Sequence, residues 1–133
     1  MAEACQKGDL TIKINQINCS ALAYLGDAVI ELMVRHKILT TANVPAGKLN
    51  IMAREYVTAH AQSTAVENIL DILTEEELCL YKRGRNMNNG SVPKNASTIE
   101  YRRATGLEVL FAALYLDGKT DRLNELFAIA FKN

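Results

Sequence analysis

Apolar residues in the first part of the chain recur at the spacing of an α-helix. A 3-4-3-4 rhythm predicts a helix over about residues 20–39. The rhythm is formed by Leu22, Leu25, Val29, Leu32 and His36. A second apolar line, Ala23, Ile30 and Val34, follows another face of the same helix. A helix that is apolar nearly all round must be covered on more than one side, and a second subunit is a natural cover.

Helix-boundary residues divide the middle of the chain. Pro45 suits the first turn of a helix, where its missing N–H group does no harm. Residues 46–72 are therefore predicted to form one long helix or two in succession. Thr74 and Glu77 have the spacing of a capping box and predict the start of a further helix. We expect that helix to end at Gly84.

Two more helices are predicted towards the end of the sequence. Ser97 and Glu100 repeat the capping-box spacing and open a helix that runs to about residue 116. Gly118 suits a left-handed C-terminal cap, and Thr120 is expected to cap a last helix that runs to residue 131. Residues 84–95 are rich in glycine and asparagine and predict a loop. No strand alternation persists, so the predicted fold class is all-α.

The length of 133 residues, 49% of them hydrophobic, fits one domain over residues 1–133 with a polar lead-in at residues 1–17. The three cysteines form no CxxC pair, which favours reduced thiols over a disulfide framework or a zinc site. The N-terminal residues lack the apolar core of a signal peptide. The longest apolar run, residues 109–116, is too short to span a membrane. We therefore expect a cytoplasmic protein with no membrane partner.

Net charge is zero, but the charges are segregated along the chain. No acidic residue occurs over residues 78–99, directly after an acidic stretch at residues 67–77. The basic residues in and just after the acid-free segment are Lys82, Arg83, Arg85, Lys94, Arg102 and Arg103. A segregated basic segment can attract a polyanion even when the whole protein is neutral.

Two isolated carboxylates stand in apolar helical surroundings. Asp27 follows Gly26, and Glu108 lies two residues after Gly106. A glycine inside a helix costs about 1 kcal/mol relative to alanine, and its missing Cβ allows another chain segment to approach closely. The acids either answer a buried lysine or arginine or converge on a divalent cation that prefers oxygen ligands. Spacing alone favours the ion pair, because buried acids are usually paired.

The segments around these acids resemble a known family. "LAYLGDAVIEL" at residues 22–32 is similar to the signature helix of the ribonuclease III catalytic domain, Leu-Glu-Phe-Leu-Gly-Asp-Ala-Val. "ATGLEVLFAALYLDG" at residues 104–118 resembles the second acidic helix of that domain. Ala23 and Thr105 stand where the larger enzymes place a Glu and an Asp, and no double-stranded-RNA-binding domain follows. With "KRGRN", "PKNAS" and "YRRATG", these departures resemble the bacterial Mini-ribonuclease III family.

The resemblance implies a homodimeric, Mg²⁺-dependent endoribonuclease that cuts double-stranded RNA in the maturation of 23S (large-subunit) ribosomal RNA, with or without the assistance of a ribosomal protein. By position, Asp27 and Glu108 are the catalytic residues and the metal ligands. Tyr24 matches the aromatic residue that larger relatives insert into the partner subunit, and Leu22 and Leu25 are expected beside it at the dimer interface. Because no charge stands at Ala23 and Thr105, more of the coordination is expected to come from water.

The absence of an added RNA-binding domain implies that the catalytic domain itself holds the RNA. Duplex RNA is recognised mostly by shape, through phosphate and 2′-hydroxyl contacts. The predicted RNA-binding residues are Lys82, Arg83, Arg85, Asn86, Lys94, Asn95, Arg102 and Arg103. Thr105 is a candidate for orienting a metal-bound water through its hydroxyl.

Other polar residues near the signature helix are assigned structural or neutral roles. Glu31 is expected to pair with Arg35 at i,i+4 on the helix surface, and His36 and His60 are expected to take no part in the chemistry. Two other functions remain open: a non-catalytic RNA-binding or ribosome-associated module of the same fold, and a helical homodimerisation domain. Retention of both acids argues against the first, and the acid-free basic segment argues against the second.

Overall fold

The fold is described by a computed structural model that covers residues 13–87 and 97–132. Its described part is helical throughout, as the sequence predicted. The helices are α1 (Cys19–Thr41), α2 (Ala46–Val57), α3 (Ala59–Ile69), α4 (Glu75–Arg85), α5 (Thr98–Leu116) and α6 (Thr120–Ala130), with 3₁₀ turns at Ile14–Gln16 and Leu70–Ile72. None of the described helices is long and apolar enough to cross a membrane.

Helix α5 lies at the centre of the fold, in contact with α1, α3, α4 and α6. Every residue from Ala104 to Leu114 is buried except Glu108. A helix surrounded in this way needs apolar side chains on all its faces, and the sequence from residue 104 to 116 supplies them. The carboxylate of Glu108 is therefore the one interruption in the buried middle of the central helix.

Helix α1 confirms the predicted helix over residues 20–39 and extends it slightly at both ends. The side chain of Asn18 caps it by accepting hydrogen bonds from the N–H groups of Ser20 (2.8 Å) and Ala21 (3.3 Å). Its buried face combines parts of both apolar lines: Leu22, Ala23, Gly26, Val29, Ile30, Val34 and Ile38. Leu32, by contrast, is 68% exposed.

Residues 46–72 form two helices in succession, followed by a 3₁₀ turn. Pro45 is the N-cap of α2, one position before the place predicted for it. The two helices are separated at Thr58, whose extended backbone ends α2. The hydroxyl of Thr58 accepts a hydrogen bond from the N–H of Ala61 at 3.1 Å and so caps α3.

The capping box that begins α4 is confirmed in both directions, between Thr74 and Glu77. Arg122 of α6 donates two hydrogen bonds of 2.8 Å to the Glu77 carboxylate and a third, of 2.7 Å, to the Ile72 carbonyl. Burial acts to raise the pKa of Glu77, but the hydrogen bonds from Arg122 and Thr74 and the charge of Arg122 together hold it below its usual value. This fork ties α6 to the start of α4.

The prediction that Gly84 ends α4 is wrong, because the helix continues to Arg85 and is capped at Asn86. Gly84 lies instead at the crossing of α4 and α5. A Cβ at Gly84 would lie 2.9 Å from the Cα of Gly106 and 2.7 Å from Cγ2 of Val109. Paired glycines let the two helix backbones touch there.

The other boundary predictions have mixed outcomes. Gly118 adopts a φ of 71° and ends α5 as predicted. Ser97 caps α5 by accepting the N–H of Glu100 at 3.0 Å. The prediction that Thr120 caps α6 is wrong, because Lys119 occupies the cap and Thr120 is already helical.

The lead-in is more structured than its polarity suggests. Ile14 is 3% exposed and packs in the hydrophobic core, within the 3₁₀ turn that precedes α1. Residues 1–12 and 88–96 lie outside the described part of the chain, so the predicted loop at 84–95 is seen only as far as residue 87.

Candidate active site

Asp27 and Glu108 are brought together by contact between the backbones of α1 and α5. A Cβ built on Gly26 would lie 1.8 Å from the carbonyl oxygen of Glu108 and 2.4 Å from its carbonyl carbon. Real Cβ atoms do not approach that closely, so only glycine fits at this crossing. The absence of a side chain at residue 26 thus sets Asp27, its neighbour, beside Glu108.

The two carboxylates interact electrostatically, and the interaction is unfavourable. Burial and, secondarily, the negative charge of Asp27 raise the pKa of Glu108 to about 8. Asp27 itself is exposed. Two adjacent acids with this asymmetry form a site that favours either a bound proton or a bound cation.

Neither carboxylate has a neutralising partner in the described part of the chain. Among residues 13–87 and 97–132, Asp27 and Glu108 form no salt bridge and no hydrogen bond through their side chains. The ion-pair interpretation therefore finds no basic partner in the described chain. The same residues contain no group of three or more His, Cys, Asp or Glu side chains that could hold a metal. The acidic centre consists of two carboxylates.

Residues 23 and 105, where the larger enzymes of the resembled family place acids, present no free polar donor to the site. Ala23 is buried in the core. Thr105 is 5% exposed, and its hydroxyl donates a hydrogen bond of 3.0 Å to the carbonyl of Tyr101. The prediction that this hydroxyl orients a metal-bound water is not supported, because its proton is already donated within α5.

Three of the predicted RNA-binding arginines meet around one cavity between α3, α4 and α5. Arg85, Arg102 and Arg103 line a space of about 270 Å³ with Asn86, Leu70, Tyr81 and Ile99. Arg102 donates to the carbonyls of Arg85 (3.5 Å) and Met87 (3.4 Å). Arg103 donates to Glu67 (2.9 Å) and Ser63 (3.4 Å) of α3. Basic residues in and just after the acid-free segment thus line one pocket.

Comparisons with known proteins agree with this arrangement. Residues 20–119 match the family model of the ribonuclease III domain. The chain is 42% identical over 126 residues to the Mini-ribonuclease 3 of Brevibacillus brevis, covering 95% of this chain and 94% of that one. It is also 42% identical over 113 residues to the Mini-ribonuclease 3 of Enterococcus faecalis, covering 84% and 86%. The chain belongs to the Mini-ribonuclease 3 family. It is therefore an endoribonuclease of the ribonuclease III type.

The fold is shared with a solved member of the same structural class. A Fusobacterium nucleatum protein determined by X-ray crystallography superposes with a TM-score of 0.80 at 31% identity, covering 90% of this chain and 95% of that one. Membership in the Mini-ribonuclease 3 family confirms the fold predicted from the signature helix and the second acidic helix.

Not every basic residue predicted to contact RNA in this Mini-ribonuclease 3 family member is free to do so. Arg83 points inward, donating to the carbonyls of Ile14 (3.2 Å) and Ile17. It holds the turn before α1 against α4, so we remove it from the RNA-binding set. Lys82 is exposed on the surface of α4. Lys94 and Asn95 lie outside the described residues.

The exposed face of α1 carries large apolar side chains. Tyr24 is 84% exposed and Leu39 is 63% exposed, and both lie on the same side of the helix as Leu32. Leu25 is half-buried against the core. Leu22, in contrast, is 1% exposed. Its placement at the dimer interface is therefore corrected, because a residue already buried in its own chain has no surface left for a partner to cover.

Two further polar contacts lie on the surface. Glu31 and Arg35 form the predicted i,i+4 pair at 3.3 Å. His60 contacts the carboxylate of Glu100 at 2.7 Å, and this contact raises the pKa of His60. Tyr81 was not predicted from the sequence. Nothing in "LYKRG" distinguishes it from an ordinary helix-packing residue.

Proposed function

We propose that the chain acts as a homodimer that cleaves double-stranded RNA in a Mg²⁺-dependent reaction, with precursor 23S (large-subunit) ribosomal RNA as its substrate. The observation that carries the proposal is the adjacency of Asp27 and Glu108 without a basic partner in the described chain. Isolated acids beside a polyanionic substrate would repel it unless a cation lay between them. The family relationship supports the endoribonuclease chemistry.

The donor set fits magnesium. Two carboxylates supply hard oxygen ligands, and Mg²⁺ characteristically uses one or two of them while keeping several waters. Burial and, secondarily, the charge of Asp27 raise the pKa of Glu108, and a bound cation would offset both effects. Asp27 and Glu108 would hold the ion directly or through water. When bound, the ion supplies an acidified water and neutralises charge that develops on the phosphate.

The other residues bind and position the duplex. The basic side chains on α4 and α5, including the exposed Lys82 and the half-buried Arg85, supply phosphate contacts, which fix the register of a nucleic acid without reading its sequence. Asn86 is exposed at the end of α4, where its amide can donate to and accept from a 2′-hydroxyl. These groups allow the catalytic domain itself to bind duplex RNA.

The exposed apolar face of α1 supports the homodimer. Tyr24, Leu32 and Leu39 are large apolar side chains exposed on α1, and exposed apolar surface of this kind marks interaction sites. A second copy, related by a two-fold axis, covers the same surface on both subunits. Two acidic sites in such a dimer face opposite strands of the duplex, so one binding event cuts both.

The proposal is tested by cleavage and binding assays on a structured RNA that carries the paired ends of large-subunit ribosomal RNA. We expect the parent to cleave it with Mg²⁺, and Asp27→Asn and Glu108→Gln to bind without cleaving. Glu31→Gln is the matched control, because it removes a carboxylate one turn after Asp27 that is paired with Arg35. This variant should cleave at the parent rate.

The outcomes separate the alternatives. Equal cleavage by Asp27→Asn would show that the acidic site is wrongly assigned. Binding without cleavage by every protein would favour the non-catalytic RNA-binding module, and neither binding nor cleavage would favour the homodimerisation domain. An unrelated duplex of equal length, cut as fast as the ribosomal one, would remove the proposed substrate preference.

A further inference from the structure

The cavity between α3, α4 and α5 is a strongly basic pocket built around a buried tyrosine. Its volume is about 270 Å³. Asn86 is exposed and Ile99 is 65% exposed, so the pocket opens to the surface at that side. It has room for one tetrahedral anion and part of its hydration shell.

The arginines of the pocket keep unused donors. Arg102 and Arg103 make their hydrogen bonds through Nη1, and Arg85 makes its own through Nε to Asn86. Each guanidinium has five N–H donors, and the Nη2 groups of all three bond to no other described residue. Across residues 13–87 and 97–132, the one carboxylate that pairs with these arginines is that of Glu67. The three cations are therefore undercompensated.

Tyr81 adds a hydroxyl group that is not hydrogen-bonded to any residue the structure describes. The residue is 2% exposed and lines the pocket, yet its hydroxyl makes no hydrogen bond within the described chain. Burial raises the pKa of Tyr81, while the charges of Arg103 and Arg85 act to lower it. The hydroxyl thus lies within the field of the guanidinium groups and remains protonated as a donor. Because Tyr81 lines the pocket, its hydroxyl is available to a ligand bound there.

We propose that this pocket binds a single phosphate group, which receives hydrogen bonds from the hydroxyl of Tyr81 and the free N–H groups of Arg85, Arg102 and Arg103. Arginine forks match the oxygens of phosphate, and charge-assisted hydrogen bonds are the strong ones. The tyrosine supplies a neutral donor at the buried end of the pocket. Where the phosphate belongs to RNA, the inference rests on the proposed function, and the pocket holds the substrate at a point whose lining contains no acidic side chain.

The first test uses inorganic phosphate and needs no RNA. The dissociation constant is measured from ¹H–¹⁵N shifts of arginine side chains at constant ionic strength. Tyr81→Phe should weaken phosphate binding about tenfold, because a hydrogen bond to a charged group is lost. Tyr115→Phe is the matched control, since Tyr115 is 54% exposed and lies outside the pocket. It should bind as the parent does.

Thermal unfolding distinguishes ligand binding from a structural role. Phenylalanine fills the same space, and removing an unpartnered hydroxyl should leave the melting temperature unchanged or higher. A lower melting temperature with unchanged phosphate affinity would overturn the proposal. Arg85→Gln should also weaken phosphate binding, whereas Arg54→Gln, on the exposed surface of α2, should not. Equal affinities of all four variants would overturn it too.

A second test identifies the source of the phosphate. Duplex RNAs with 5′-hydroxyl or 5′-phosphate ends are titrated in an Asp27→Asn background, where the RNA is expected to stay intact. A loss of affinity on Tyr81→Phe with both duplexes assigns the pocket to a backbone phosphate. A loss confined to the 5′-phosphate duplex assigns it to a terminal phosphate. Because the inorganic-phosphate test does not depend on cleavage, failure of the pocket and failure of the nuclease proposal are distinguishable.

Discussion

The contact between Gly26 and Glu108 predicts a large effect of one methyl group. Gly26→Ala would place a Cβ 1.8 Å from the Glu108 carbonyl oxygen. An ordinary van der Waals contact is roughly 3.5 Å, so α1 and α5 must separate locally by about 1.7 Å. The obstacle is backbone, which cannot rotate away as a flexible side chain would.

The energetic cost follows from two opposing effects. Overpacking costs about 1–3 kcal/mol and occasionally more, and this clash lies at the upper end because both partners are main chain. Alanine is favoured over glycine in a helix by about 1 kcal/mol. We therefore expect Gly26→Ala to lower the free energy of unfolding by about 2 kcal/mol. For a chain of this length, that corresponds to a fall in melting temperature of roughly 8 °C.

The cleavage rate of the folded variant should also fall, by more than its loss of stability would explain. The same separation moves Asp27 away from Glu108, and misplacement by about 1 Å can cost roughly 100-fold in rate. Both effects are measured at one protein concentration, by thermal denaturation and by cleavage of a structured RNA under conditions where the variant is folded.

Gly47→Ala is the matched control for this substitution. Gly47 lies within α2, and a Cβ there meets nothing within 4 Å. The same chemical change should therefore raise stability by about 0.5–1 kcal/mol and leave cleavage unchanged. If Gly26→Ala proved as stable and as active as Gly47→Ala, the two helices could not touch at this point, and the geometric basis of the acidic site would be lost.

Three further predictions concern charge and assembly. In the presence of a metal chelator, the parent should lose stability as pH rises from about 5 to 8. The reason is that Glu108, with a folded pKa of about 8, binds more protons in the folded state than in the unfolded state across that window. Glu108→Gln should flatten the slope of melting temperature against pH, and parallel slopes for parent and variant would contradict the prediction. Arg122→Ala should cost about 2 kcal/mol in urea denaturation, because it strands the nearly buried Glu77 carboxylate; a change under about 0.5 kcal/mol would count against this. Tyr24→Ala should weaken self-association in sedimentation experiments, and an unchanged dimer would remove Tyr24 from the interface.

Local signals in the sequence predicted most helix boundaries. The capping box at Thr74 and the left-handed residue Gly118 depend on neighbours within a few positions, so they were identified from the chain alone. Gly84 was misassigned for the opposite reason. A glycine near the end of a helix suits a cap, and its role at a crossing depends on Gly106, which belongs to another helix.

The apolar rhythm of α1 was correct in period but not in face. A helix turns about 100° per residue, so Leu32 lies roughly 80° around the helix from Leu22. Ile30 lies on the other side of Leu22 around the helix axis, and the core packs against that side. Leu32 is therefore left exposed. Periodicity locates a helix, but the partner helices decide which of two apolar lines becomes core.

The acidic site was predictable in outline, whereas the basic pocket was not. Asp27 and Glu108 stand out as lone charges in apolar helices, and family motifs locate both. Arg83 and Arg85 are the same residue type in the same basic segment, so the sequence does not distinguish them. In the structure, Arg83 binds backbone carbonyls near α1, while Arg85 lines the pocket. The two arginines project from different sides of α4, and this direction determines which contacts each one makes.

The crossing of α1 and α5 also determines when during synthesis a functional enzyme can first exist. Asp27 and Glu108 are 81 positions apart (108 − 27 = 81), and the second acid is reached only after about four-fifths of the 133-residue chain has been polymerised. A nascent polypeptide that stops before α5 carries Asp27 without its counterpart and lacks the helix against which α1 packs most extensively. Under the proposed function, we expect incomplete translation products of this kind to have no nuclease activity.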